Sequence, residues 1–278
     1  MTTRVPSKRK SSRRKVSIED ESRWVFNRMA GVYAARPAYP TALVDAIAEL
    51  ADSVGKRLGD LGAGIGHLAI PLAERGFEVT AVDPALAMLE RLESAATARG
   101  VGLRSLHGAA EALPLPAQCL DTVLIADALH FIDSELAARE IARVLVRRGL
   151  LLVVTCELGD TPFMREVARV MQEAAQRKPR QMVSRSAQLA GVAKIPLCDG
   201  RTFTDETPVT YDELEQILAS ISFIGPAMNP ERTAAFRATV HELSHAFPAV
   251  WARQFKLQWG RRTHSRPSPL PRHTTAAR

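Results

Sequence analysis

The first stretch whose residue types and spacing suggest chemistry is Leu58-Gly59-Asp60-Leu61-Gly62-Ala63-Gly64-Ile65-Gly66-His67. An apolar strand running into close-set glycines, and then into a helix, lets backbone approach a ligand with no Cβ in between. The helix start adds N–H groups without intrahelical partners, which favour polar or anionic ligand atoms. Asp60 sets one carboxylate just ahead of the glycines. Asp83 sets another at the end of the next strand, Phe77-Glu78-Val79-Thr80-Ala81-Val82-Asp83, 17 residues past Gly66. A strand-end carboxylate at that separation suits a ribose diol. The dinucleotide fingerprint G-x-G-x-x-G fits less well. Begun at Gly62 it needs a glycine where His67 stands, and begun at Gly64 its third glycine falls on Ala69.

Two histidine arrangements also bear on chemistry. His130 follows a strand read over Asp121 to Ala126, at the carboxyl edge where ligands of open α/β sheets collect. A neutral imidazole there can take a proton from a hydroxyl, an amine or an acidic carbon; the alternative is a packed histidine that shapes the pocket. His241-Glu242-Leu243-Ser244-His245 is a literal H-E-x-x-H. It lies near the end of the chain with no evident third ligand, so no bound metal is expected.

The elements that must carry these residues alternate between helix and strand. Thr41 reads as an N-cap before Leu43, Ile47 and Leu50 at helical spacing, and Gly76 as a C-cap. Helices follow over Pro84 to Arg99 and Ser134 to Val146, with strands at Leu103 to Leu106, Asp121 to Ala126 and Leu150 to Cys156. Such alternation implies right-handed crossovers and a mostly parallel sheet covered on both faces. Residues 161–198 read as a helical cap over the ligand edge. After it come a strand near 201–209, helices near 211–220 and 230–246, and a last strand near 251–260.

Composition narrows the class. Hydrophobic residues make up 46% and charged residues 24% of 278, the balance of a soluble globular chain, and no apolar run approaches membrane-span length. Cys119, Cys156 and Cys198 are far apart and read as reduced thiols of a cytoplasmic protein. The net charge of +7 is carried by the ends: seven positive residues lie within 1–16 and five within 261–278, which leaves the middle near −5. Both tails, 1–22 and 264–278, are expected to be disordered, and the N-terminal one offers a possible contact with nucleic acid.

The glycine segment resembles the first motif of the class I S-adenosylmethionine-dependent methyltransferases, and the likeness continues in order down the chain. Val79 to Pro84 with Met88 is similar to the second motif, Gly108-Ala109-Ala110-Glu111-Ala112-Leu113-Pro114 to the segment along the adenine, and Leu120 to Ile125 with Ala128 to Phe131 to the fourth motif. Arg139-Glu140-Ile141-Ala142-Arg143-Val144-Leu145 and Tyr33-Ala34-Ala35-Arg36-Pro37-Ala38-Tyr39-Pro40 resemble further segments of a subgroup that includes quinone-biosynthesis enzymes; there the second of them folds over the bound cofactor. The resemblance covers about residues 24–156. It implies an α/β, Rossmann-like three-layer sandwich with a seven-stranded, mostly parallel sheet, the last strand antiparallel, over residues 23–263. It implies S-adenosyl-L-methionine as cofactor, held by Tyr33, Asp60, Gly62, Ala63, Gly64, Gly66, Asp83, Pro84, Met88, Ala110, Glu111 and Asp127, with His130 as candidate base. In this reading Tyr33 either faces the sulfonium or simply packs. A small-molecule acceptor is the first reading; an RNA or protein acceptor recruited by the basic tail, and a non-catalytic member of the fold, are the alternatives.

Overall fold

The computed structural model describes residues 21–175, 185–198, 200–222, 224 and 229–262; both expected tails fall almost wholly outside these residues. The central parallel strands are β1 (Arg57–Leu61), β2 (Glu78–Asp83), β3 (Arg104–His107), β4 (Leu120–Ala126) and β5 (Leu145–Leu158). β6 (Arg201–Pro208) and β7 (Val250–Arg261) complete a seven-stranded sheet in the order β3-β2-β1-β4-β5-β7-β6. β7 runs antiparallel to both β5 and β6, and the remaining pairs are parallel.

Period-two alternation sorts the strand side chains into two cores. Leu150, Leu152 and Val154 of β5 face one cluster, with α2 (Thr41–Asp52) and α3 (Ala69–Glu74) packed over it. Leu151 and Val153 face the other, covered by α5 (Ser134–Val144) and α7 (Arg185–Ala193). A parallel sheet buried on both sides requires such runs of Leu and Val. A third cluster joins α6 (Pro162–Ala175), α8 (Tyr211–Ala219) and α9 (Pro230–Ala246) to Trp251 and Ala252 of β7. The segment read as one cap over 161–198 therefore divides: α6 belongs to this cover, and α7 packs on the far face of the sheet. A smaller cluster seats α1 (Glu21–Tyr33) on α4 (Leu86–Ala98) through Ala30 and Met88.

Local signals set the ends of these elements. Asp133 caps α5, accepting from the Glu135 and Leu136 amides, and Thr210 and Glu213 form a reciprocal capping box on α8. Thr41 is a correction: it is the first helical residue of α2, and Pro40, extended at φ −57° and ψ 138°, holds the cap position without a side-chain bond. β5 starts at Leu145 rather than Leu150, because the ladder continues through Arg147-Arg148-Gly149 with a register shift opposite Leu120 and Thr122. Gly59 does not break β1. A Cβ there would stand 2.5 Å from Leu120 Cδ1, so the Leu120 side chain fills the space that glycine leaves.

Candidate active site

The carboxyl ends of β2, β1, β4 and β5 and the first half of β7 open into one cavity of about 330 Å³, roofed by α1, α6 and α8. That volume lies within the range of small-molecule sites. Its floor is the glycine turn. Gly62, Gly64 and Gly66 have φ of +76°, +56° and +88°, a region that side chains with a Cβ enter at a cost. Crowding adds to this, since a Cβ on Gly62 would stand 2.6 Å from the Ala128 Cβ. The Gly62 and Ala63 amides donate to Val82 O at 2.8 and 3.2 Å, which ties the turn to the end of β2.

Asp83 fixes the next wall. It accepts from the Gly64 amide on Oδ2 at 2.9 Å and from the Ala85 amide on Oδ1 at 2.8 Å, so glycine turn and α4 start meet on one carboxylate. Met88, Ala109 and Ala110 form an apolar slot beside it. The slot is held from behind by the Arg139–Leu145 segment. Arg143 donates from Nη1 to Leu115 O at 2.6 Å and from Nη2 to Leu113 O at 3.1 Å, and Glu140 accepts the Leu113 amide at 2.8 Å. Glu111 lines the cavity and accepts the Asp133 amide at 3.0 Å, joining the slot to the start of α5.

Acidic and aromatic groups define the centre. Asp60 is 2% exposed and lies behind the cavity wall; burial, and then the charge of Asp83, push its carboxyl up to about 7. Asp127, just beyond β4, sits at φ +47°, an uncommon conformation for a residue with a side chain. Its carboxyl faces the cavity and is pushed up to about 6 by burial, against the opposing charges of Arg36 and Arg253. Tyr33 stacks on His67 with ring centroids 6.2 Å apart, and the Arg36 guanidinium lies 4.4 Å from the Tyr33 ring centroid. Burial also raises the Tyr33 phenol above its ordinary value. His67 and His130 are both lowered to about 4, first by desolvation; nearby arginines, led by Arg36 for His67 and Arg185 for His130, add to it. His130 stands at the mouth, one edge open to solvent, its ring 3.9 Å from that of Phe131.

A strap over the cavity is held by two arginines. Arg36 donates from Nε to Ser220 Oγ at 2.8 Å and from Nη2 to Ser220 O at 3.0 Å, which ties it to the end of α8. Arg253, 8% exposed on β7, donates to Pro37 O at 2.8 Å and Ala38 O at 2.6 Å and pairs with Asp205 of β6. Beyond the strap the lining turns apolar, with Leu158, Met171, Ile217, Ile221 and Trp251.

Of the residues singled out in the sequence, the fold brings Tyr33, Gly62, Gly64, Asp83, Pro84, Met88, Ala110, Glu111, Asp127 and His130 to this cavity. Asp60, Ala63 and Gly66 support it from behind. Arg253 and the apolar wall were not foreseen. Their signal was faint: in Trp251-Ala252-Arg253-Gln254-Phe255 an arginine shares one strand face with two aromatic residues, the mark of a cation facing inward.

A Rossmann-like sheet in this strand order, with a glycine turn and a strand-end carboxylate opening into one enclosed cavity, defines a nucleoside-cofactor transferase. Comparison with known proteins gives the family. Residues 59–153 match the methyltransferase domain family. A methyltransferase of Mycobacterium tuberculosis is 33% identical over 229 residues, spanning 75% of this chain and 89% of that protein. The demethylmenaquinone methyltransferase of Thermus thermophilus is 43% identical over 102 residues, 36% of this chain and 46% of that one. In fold the chain is similar to the crystal structure of YcgJ from Bacillus subtilis, with a TM-score of 0.56 and 21% identity over 80% of this chain and 98% of that one. The chain belongs to the class I S-adenosylmethionine-dependent methyltransferases.

Proposed function

We propose that this methyltransferase acts on a small, largely apolar acceptor held in the same cavity as the cofactor. The observation that carries this is the continuity of the lining: the glycine turn and Asp83 pass directly into the apolar chamber under α6 and α8. In this reading Asp83, acceptor-only when ionised, takes the ribose hydroxyls, and the slot between Met88 and Ala110 takes the adenine. The negative charge of Asp127 suits a cationic ligand, and Asp60, its carboxyl pushed up to about 7, adds only part of a charge at neutral pH. The bound cofactor supplies a methyl carbon already activated by its sulfonium, so the protein's part is mainly alignment and exclusion of water. Tyr33, Arg36 and the 37–38 strap close that space.

A weak nucleophile also needs a proton acceptor, and His130 and Asp127, just after β4, are two of the titratable groups that line the cavity. The His130 imidazole, lowered to about 4, is a feeble base at neutral pH. Asp127, at about 6, is better matched; its carboxylate lines the cavity together with Arg36 and with Cys156, whose own thiol burial pushes up to about 12 and keeps protonated. We assign Asp127 the proton-accepting role and His130 the shaping of the entrance.

The test is calorimetric titration of the full chain with S-adenosylmethionine and S-adenosylhomocysteine, with Asp83→Ala in parallel. Binding of both, lost in Asp83→Ala, is expected. Equal binding by a folded Asp83→Ala protein removes the ribose assignment. An acceptor screen on the binding-competent protein follows; turnover of macromolecular but not small acceptors would overturn the proposal.

A further inference from the structure

We propose that His241 and His245 on α9 form a binding site for a divalent transition-metal ion of tetrahedral preference, typified by Zn²⁺, separate from the methyl-transfer cavity. The two residues stand four apart on one helix, so their side chains project from the same face, one turn above the other. Their Nε2 atoms are 3.3 Å apart, within hydrogen-bond distance of each other, and a bound ion would take the place of that contact; both residues are exposed on the outer side of the α6–α8–α9 cover.

The separation is the telling quantity. Zinc binds imidazole nitrogen at about 2.0–2.1 Å, and two such bonds at a tetrahedral angle place the nitrogens about 3.3–3.4 Å apart. The pair is thus already at the edge length of a zinc tetrahedron. The ring planes, 73° apart with centroids at 4.5 Å, keep the rings from stacking over their own nitrogens. Tyr211 at the start of α8 packs edge-on against His241 at 4.9 Å, which limits the rotamers of that ring.

The surrounding residues separate this site from a hydrolytic zinc centre, although the segment reads H-E-x-x-H. The helix face is open rather than set in a cleft, and among the described residues no third histidine, cysteine or carboxylate joins the pair. Water would complete the coordination sphere. The expected behaviour is reversible binding of one ion, with no hydrolytic activity.

Zn²⁺ titration by calorimetry, on the full chain and on His241→Ala and His245→Ala, tests the assignment. Both positions are exposed and helical, and alanine favours helix, so the variants keep the fold; unchanged thermal unfolding without metal checks this. The expected result is one Zn²⁺ per chain, weakened at least about tenfold by either substitution alone, a loss of about 1.4 kcal/mol. Unweakened binding in either variant would place the ion on other histidines and overturn the proposal, as would absence of binding to the unsubstituted chain. S-adenosylhomocysteine affinity, measured with and without Zn²⁺, should stay unchanged, because the pair lies outside the cavity lining.

Discussion

Replacing Arg253 by methionine should weaken the fold and the cofactor site together, because one guanidinium holds the strap to the sheet. Its Nη1 and Nη2 donate to the carbonyls of Pro37 and Ala38 at 2.8 and 2.6 Å, and its Nε donates to Asp205 Oδ2 at 3.1 Å. Methionine fills much of the same volume, so the change removes charge and donors rather than packing. A hydrogen bond from a charged donor contributes about 1.5–3 kcal/mol. The lower figure applies here, since water from the cavity can reach the freed carbonyls, and the two together give about 3 kcal/mol. Asp205 retains 21% side-chain exposure and can rehydrate, so its lost pairing adds no more than about 1 kcal/mol. A total of about 3–4 kcal/mol corresponds to a fall in melting temperature of about 6–16 °C for a domain of this size. Scanning calorimetry reads that fall, and titration with S-adenosylhomocysteine reads the site; affinity should drop at least about tenfold, or 1.4 kcal/mol. Asp205→Asn keeps the clamp on the carbonyls and should cost only about 1 kcal/mol with little change in binding. A variant Arg253→Met that melts within about 2 °C of the parent and binds normally would refute the clamp. So would an Asp205→Asn variant that is equally damaged.

Two further outcomes follow from the same geometry. Gly62→Ala combines a left-handed conformation costing about 1–2 kcal/mol with a 2.6 Å contact to Ala128; the turn should shift and cofactor affinity fall sharply, while the double variant with Ala128→Gly recovers part of it. Full affinity in Gly62→Ala would show that the turn tolerates a side chain. Asp60 carries a pH signature: its folded value of about 7 lies above the unfolded one, so its stabilising contribution is full below about pH 4 and is lost as pH rises through about 7. Asp60→Asn should therefore gain on the parent between pH 4 and pH 8 in denaturant midpoints, by at most about 4 kcal/mol. A gap between the two proteins that stays constant with pH would mean that Asp60 does not titrate in this range.

The elements legible in the sequence are those whose local signals agree with their packing. The helix read near 230–246 is α9 over Pro230–Ala246, because Asn229 caps it and Pro230 takes its first position. β7 was legible at both ends for a similar reason, since its aromatic and aliphatic residues alternate. α1 was not legible. Its sequence, ESRWVFNRMAGVY, is mixed in polarity, and it stays on the protein through Ala30 against Met88 and through the Phe26–Phe131 edge contact. The division of the 161–198 segment was hidden too. Both of its helices are amphipathic, and periodicity tells that a face is buried without telling which surface receives it.

The same distinction divides the active site. On the side assigned to the cofactor, the lining is backbone and strand-end carboxylates, which demand particular residue types at particular spacings. Three glycines at positive φ and Asp83 receiving two amides leave a pattern that can be read from one sequence. On the side proposed for the acceptor, Met171 comes from α6, Ile217 from α8 and Trp251 from β7, and Phe131 lines it from the turn after β4. Each of these is an ordinary apolar residue in its own element, satisfied by burial of any suitable shape. What joins them is the pair of arginines that fold the 36–38 strap onto α8 and β7 across more than 180 positions of sequence. On the proposed reading, acceptor specificity rests on contacts without local pattern, and substitutions at Ile217, Ile221 and Met171 should redirect it while leaving the glycine turn and Asp83 as they are.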